Sequence, residues 1–363
     1  MTWLLFSFFV FLFTFLGQER VGKNYAPLYR IFLVMFLSYM IGFGGQLCTD
    51  HDNYSLFYKN FDGLSEYNIL NLLGKNGRFE FGFMLLAQIS HWLGLGAPGF
   101  LFVVSFITNT LMVSVLYRFK YPLLSMLMFI TTAYYSQQAN GVRQMLAVAV
   151  FLYSIQYLVT RQTIKYLICI LVASMFHFGA IILVLFAFLR YVNIEKHFNA
   201  ITKGLIGMWL LSILGVIGIF RLGAIIPMGI FSVYDDFAEQ TGDYDSNFNP
   251  IYNLILLLGL LYYRKEHKIY LIIYAIGCIL LNLSMASEFG KSLYRFAYYF
   301  TPFFCLFTAE LLFYKNYSLS CRYVKPLLTL VCLYYSYRLL FLYILNPDIF
   351  LGGAFYPLSD FFA

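Results

Sequence analysis

Between Phe100 and Tyr117 the chain carries no charged residue, and the stretch ends abruptly at Arg118 and Lys120. A run of that length crosses the roughly 30 Å hydrocarbon core of a bilayer as one helix. Comparable apolar runs recur at Trp3–Gly17, Leu28–Leu47, Arg143–Thr160, Gly204–Phe220, Ile251–Tyr263, Ile269–Ala286, Phe296–Phe313 and Pro326–Leu345, each bounded by a polar or basic turn. No water is available at that depth to satisfy backbone N–H and C=O groups, so such runs have to be helices. Charged residues make up 11% of the 363 positions, against about 25% in soluble domains, which excludes a soluble fold. The expected fold is an all-α polytopic integral membrane protein of about 11–13 transmembrane helices. It is expected to form a single domain over 1–363, with two larger outer-face loops at 48–80 and 221–250. The first run lacks a basic leader and a small-residue cleavage site, and is expected to be a retained span.

Some runs are too short or too interrupted to span. Phe81–Leu95 is punctuated by Gly82, His91 and Gly94 and reads as an interfacial or re-entrant helix. Tyr166–Leu189 is long enough for one span, yet His177 and Gly179 fall midway, so two short helices meeting at His177 are expected. Between Tyr134 and His177 a dense polar knot, with Gln137, Gln138, Asn140, Arg143 and Gln144, precedes an apolar run and the basic turn Arg161–Lys165. Ionisable groups at membrane depth are costly and usually face a cavity where they act. For Arg143 the competing account is a helix-end residue snorkelling to the headgroups. For His177 it is a satisfied packing histidine.

The charges divide by side. The stretches 18–30, 118–121, 161–165, 190–203, 264–268 and 315–325 hold 16 of the 24 Lys and Arg residues, whereas 13 of the 17 acidic residues lie in the intervening loops and the tail. Basic loops mark the cytoplasmic side. The pattern gathers the loop 48–80, the polar knot, His177, the loop 221–250 and the segment Ser287–Arg295 on the outer face. It requires that Phe81–Leu95 not cross and that the run 166–190 turn back.

The formal charge of +7 follows from this topology, and nucleic acid is not an expected partner. Cys48, Cys169, Cys278, Cys305, Cys321 and Cys332 show no metal-like spacing and read as small buried hydrophobes. There is no GxGxxG, Walker A, HExxH or CxxC motif, which disfavours a nucleotide-driven pump. No cofactor and no metal are expected. On the outer face Asp50, Asp52, Glu80, Arg143, His177, Arg221, Glu288, Lys291 and Arg295 converge. Arginines at a bilayer surface fit a lipid-anchored diphosphate, because the guanidinium stays charged and offers a planar donor fork. Glycosyl transfer from such a donor needs positive charge at the leaving diphosphate and a base near the acceptor hydroxyl. Arg143 and Arg295 suit the first need; His177, Asp50, Asp52 or Glu80 suit the second. Against this, a lone acidic loop such as CTDHDNY is most often solvated surface, Glu80 reads as a helix-start carboxylate favoured by the dipole, and Arg295 as a snorkelling interface residue.

The order N-x-x-R-Q-x-x-A, an apolar helix, a basic turn and a helix ending F-H-F-G-A resembles the EpsG/Wzy group of polysaccharide polymerases. Asn140, Arg143, Gln144 and Ala147 carry the first element, and Phe176, His177, Phe178, Gly179 and Ala180 the second. An early D-x-x-x-Y element (Asp50–Tyr54) and a late R-x-x-Y-Y-F element (Arg295, Tyr298, Tyr299, Phe300) are similar too. The family's E-x-G-F element is approximated here at Glu80, Gly82 and Phe83.

The resemblance implies a GT-C-like glycosyltransferase that joins undecaprenyl-diphosphate-linked oligosaccharide repeat units on the periplasmic face of the bacterial inner membrane, without a metal. It implies membrane lipids as surroundings, and a flippase and often a chain-length regulator as partners. By that analogy His177, Asp50, Asp52 and Arg143 are catalytic, and Asn140, Gln144, Arg295, Tyr298, Tyr54, Glu80 and Arg221 bind substrate. The alternatives are a flippase or transporter of lipid-linked saccharides, for which paired broken helices in the two halves are not evident, and an O-antigen ligase, for which a larger outer domain is expected. An acyltransferase would need a nucleophile or acyl-carrier feature that the chain does not display.

Overall fold

The computed structural model describes residues 2–44, 51–64, 79–131, 134–135, 137–216, 250–262, 268–286, 295–312 and 324–338. Asp50, Arg221, Glu288 and Lys291, with nearly all of the loop 221–250 and part of 48–80, lie outside them. Every regular element among the described residues is helical. In chain order these are α1 (Thr2–Leu16), a short turn of helix (Glu19–Gly22) and a 3-10 turn (Lys23–Tyr25), α2 (Ala26–Phe43), α3 (His51–Lys59), α4 (Phe81–Trp92), α5 (Ala97–Leu116), α6 (Pro122–Thr131), α7 (Gln137–Asn140), α8 (Val142–Val159), α9 (Thr163–Phe176), a 3-10 helix (Phe178–Arg190), α10 (Ile194–Val216), α11 (Pro250–Tyr262), α12 (Lys268–Ala286), α13 (Phe303–Leu312) and α14 (Val324–Arg338). The chain is an all-α polytopic membrane protein. Glu19–Phe43, Ala97–Leu116 and Val142–Val159 are each long and apolar enough to cross a membrane, and shorter apolar helices accompany them.

The chain divides into two compact units, Met1–Ala187 with Thr329–Ala363, and Phe188–Leu328. In the first, α5 is the spine. Gly96 precedes it in extended conformation and Pro98 occupies its first turn, where a missing N–H leaves nothing unsatisfied. Twenty uncharged residues follow, about 30 Å of helix. α2 and α8 both pack along it. Gly42 permits the close approach of α2, because a Cβ there would lie 2.8 Å from the backbone of Phe102.

The two ends of α5 differ in chemistry. At its C-terminal end Tyr117 donates to Thr14 O at 2.8 Å, and the Arg30 guanidinium lies 4.3 Å from the Tyr117 ring while donating to Gly17 O at 2.8 Å. At its N-terminal end the short helices α3 and α4 form a cap. Tyr58 stacks on Phe100 with centroids 4.6 Å apart, and its hydroxyl donates to Leu95 O at 2.7 Å. Burial pushes that hydroxyl up to about 12, so it stays a neutral donor. The twelve residues of α4 amount to about 18 Å, too short to span, as its glycine-punctuated sequence leads one to expect.

The expected break at His177 is present. α9 ends at Phe176, His177 is extended (φ −152°, ψ 110°), and the 3-10 helix begins at Phe178. Tyr166, near the start of α9, donates its hydroxyl to Leu183 O at 2.7 Å. A continuous helix would separate these residues by about 25 Å, so the chain doubles back at His177. The hairpin returns toward the end at which it left the basic turn Arg161–Lys165.

In the second unit α10 begins about ten residues before the apolar run that suggested it. Asn193 Oδ1 accepts from Lys196 N–H at 3.1 Å and starts the helix, and Glu195 in its first turn pairs with Lys268. A buried polar chain links α10, α11 and α12. Trp209 Nε1 donates to Asn253 Oδ1 at 2.6 Å, and Asn282 Nδ2 donates to Asn253 Oδ1 and Ser212 Oγ, both at 3.0 Å.

Gly42→Ala is expected to force α2 off α5 and to cost about 1–3 kcal/mol. A lowered thermal midpoint of the detergent-solubilised protein measures this. An unchanged midpoint would mean that α2 shifts freely along α5.

Candidate functional site

Glu80 stands at the N-cap position of α4 with extended backbone (φ −77°, ψ 153°), and its carbonyl accepts from Phe83 N–H at 3.1 Å and Met84 N–H at 3.2 Å. Its carboxylate does not cap its own helix. Glu80 does stand at the helix start, where the dipole favours a carboxylate, and its two oxygens are engaged elsewhere. Oε2 pairs with the Arg143 guanidinium, and Oε1 accepts from Phe178 N–H at 3.2 Å.

Arg143 sits in the first turn of α8, where the helix dipole disfavours a cation. Its neighbours offset that cost. Glu80 neutralises it, Tyr54 from α3 contributes a side-chain hydrogen bond, and the Phe79 ring lies 4.7 Å from the guanidinium carbon. The Arg143 and Glu80 side chains are each 23% exposed, so the pair is neither sealed nor freely solvated. Arg143 is thus turned toward α4.

Aromatic packing fixes the cap that delivers Tyr54, Phe79 and Glu80. Phe57 and Phe79 have centroids 4.0 Å apart, Phe57 and Phe83 5.6 Å, and Tyr54 and Phe83 5.7 Å. Phe83 in turn meets Phe100 of α5 edge-on at 5.2 Å. Gly82 lets α4 lie against the end of α9, since a Cβ there would come within 2.8 Å of Met175 O. Two residues past Met175 stands His177, half-buried, with its N–H donating to Ala173 O at 3.0 Å.

The structure therefore joins Tyr54, Glu80, Arg143 and the backbone beside His177. Asn140 and Gln144, both half-buried, flank Arg143 along the chain, and the buried Asn140 Oδ1 accepts no hydrogen bond from the described residues. Asp52 is exposed in the first turn of α3. Arg295, exposed, and Tyr298, half-buried, belong to the other compact unit. Asp50 and Arg221 lie outside the described residues.

Sequence reading missed the helix inside the loop 48–80 and the aromatic seat it provides. The signal was present. Tyr54, Phe57, Tyr58 and Phe61 recur at i, i+3, i+4 and i+7, the spacing of one helix face. It grouped Gln138 with its polar neighbours, whereas the structure buries that side chain in the core.

Chemically, a half-buried arginine at a helix N-terminus with aromatic and carboxylate neighbours can hold an anion, with Glu80 as its resident counter-charge. Removing either member of the pair strands a partly desolvated charge. Glu80→Ala and Arg143→Ala are each expected to cost about 2 kcal/mol of stability. The double variant should lose about 1–2 kcal/mol less than the sum, read by unfolding of the detergent-solubilised protein. Strict additivity would remove the pair from the forces holding α4 to α8.

Compared with known protein families, residues 27–359 match the EpsG family. Comparisons with curated proteins and with solved structures give no match.

Proposed function

The chain belongs to the EpsG family, whose members are polysaccharide polymerases of the membrane, and we propose that it joins undecaprenyl-diphosphate-linked oligosaccharide repeat units by glycosyl transfer on the periplasmic face of the bacterial inner membrane. The observation that supports this most directly is the single Glu80 carboxylate shared by Arg143 and the backbone next to His177. It sets a fixed cation next to the chain break at His177, at the capped end of α5, the end opposite Arg118.

In this reading the acceptor hydroxyl of one repeat unit attacks the anomeric carbon of the growing glycan. The bond from that carbon to the diphosphate oxygen breaks, and the lipid diphosphate leaves with the electron pair. Arg143 and the N-terminus of α8 stabilise the negative charge that develops there. The charge is supplied by guanidinium groups and not by a metal ion. His177, or the Asp50/Asp52 pair, takes the acceptor proton. Tyr54, Asn140 and Gln144 are sugar or diphosphate contacts beside Arg143, and Arg295, Tyr298 and Arg221 are substrate-binding residues by the family resemblance alone. A flippase that delivers repeat units and a regulator of chain length are the expected partners, and membrane lipids are the medium.

The test is made in a strain lacking its own copy of the gene, complemented with wild type or Arg143→Ala at equal membrane levels. Lipid-linked and surface glycan are resolved by size. The expected result is a ladder with wild type that collapses to single repeat units with Arg143→Ala. Loss of all outer-face glycan in the deletion strain, single units included, would point to flipping instead. A full ladder from Arg143→Ala would demote that residue to a helix-end anchor.

A further inference from the structure

Resting on that reading, we propose that Gln138 is a positioning residue for Arg143. It acts through a buried ring of hydrogen bonds with Ser105 and Asn109 that is tied to Ser38. Gln138 lies on the single turn α7 and is 2% exposed, while Ser38 and Asn109 are fully buried and Ser105 is 3% exposed. Gln138 Nε2 donates to Asn109 Oδ1 at 2.9 Å, and Ser105 Oγ donates to Gln138 Oε1 at 3.2 Å. Asn109 Nδ2 donates to Ser105 Oγ at 3.0 Å and to Ser38 Oγ at 3.1 Å.

The direction of every bond follows from one hydroxyl. Ser38 gives its only hydrogen to Val34 O at 2.7 Å, so its oxygen has to accept. That turns the Asn109 amide group toward Ser38 and its carbonyl toward Gln138. Gln138 must then present its own amide nitrogen to Asn109 and its oxygen to Ser105. The ring has one self-consistent orientation.

What the ring holds is the corner before α8. Gln138 precedes Arg143 by five residues, and Gly141 N–H donates to Gln137 O at 2.8 Å across that corner. A second tether runs parallel, since the Tyr135 hydroxyl donates to Leu37 O at 2.8 Å, one residue from Ser38. The start of α8 is thereby referenced to α2 and α5, whereas Glu80 is referenced to α5 through Phe83 and Phe100. Both halves of the ion pair are surveyed from the same spine. Loss of the amide ring frees one half to drift. A shift of about 1 Å in a catalytic group costs up to about a hundredfold in rate. Gln138 touches no substrate in this account.

The test uses the full chain in proteoliposomes, with lipid-linked glycan extracted from the deletion strain as substrate. Wild type, Gln138→Leu, Arg143→Lys and the double variant are compared. The proposal expects Gln138→Leu to lower kcat at least about tenfold while KM stays within about twofold. It expects the same change to lower the Arg143→Lys rate by less than about twofold, because residues acting as a unit are not additive. A wild-type rate for Gln138→Leu overturns it, as does an equal fold loss in both backgrounds. Should Gln138→Leu fail to accumulate in the membrane, Ser105→Ala, which removes the two bonds Ser105 Oγ makes in the ring, is read in the same two backgrounds with a loss of about threefold expected. Full activity of Arg143→Ala, assayed alongside, overturns the role given to Arg143 and not the polymerase assignment, and that outcome is visible without any change at Gln138.

Discussion

Glu80 accepts from two donors that have little else in common. One is the guanidinium of Arg143, a cation in the first turn of an apolar helix. The other is the N–H of Phe178, left over where α9 stops and the chain doubles back. Each needs a partner, the first as a partly buried charge and the second as a donor left where a helix ends. One carboxylate answers both. Two breaks in the helical framework, at Gly141 and at His177, are therefore locked to each other through a third element, α4. The fold can interrupt its helices at this point because the interruption is paired.

The rest of the first unit can be understood as support for that carboxylate. Tyr54, Phe57 and Phe83 wedge α3 and α4 together, and Phe100 ties them to the spine α5. Gly82 brings α4 against α9 closely enough for Glu80 to reach Phe178. The many aromatics of the chain thus do more than populate the bilayer interfaces. In the cap they form a dense ring cluster whose geometry determines where one acidic side chain ends.

Neutral amides do in the core what charges do at the cap. The Ser38–Asn109–Ser105–Gln138 ring in one unit and the Trp209–Asn253–Asn282–Ser212 chain in the other join helices that are otherwise apolar. Between hydrocarbon-like surfaces there is no hydrophobic gain to distinguish one helix register from another, whereas a buried amide is satisfied in only one. This gives the bundle specificity without placing more charge in the membrane.

The class of fold was legible from the chain alone, because the demand that backbone groups be satisfied in lipid leaves an apolar run such as Phe100–Tyr117 no option but a helix. The interruptions at Phe81–Leu95 and His177 were legible for the same reason, since Gly and His are poor tenants of a span. The residues of the site were partly legible by their cost. Arg143, Glu80 and His177 stand out in an apolar chain, and Tyr54 fell within a recognisable element. Their partners were not legible. Glu80 and Arg143 lie 63 positions apart and Glu80 and Phe178 98 apart, and no local pattern couples them. Nor does sequence distinguish Gln138, sealed in the core, from its neighbour Asn140 in the same polar knot. Which face of a one-turn helix meets α5 depends on packing across three helices. The sequence by itself determined that polar groups would have to be satisfied inside the membrane; only the tertiary structure decided by whom, because those partners meet through space and not along the chain.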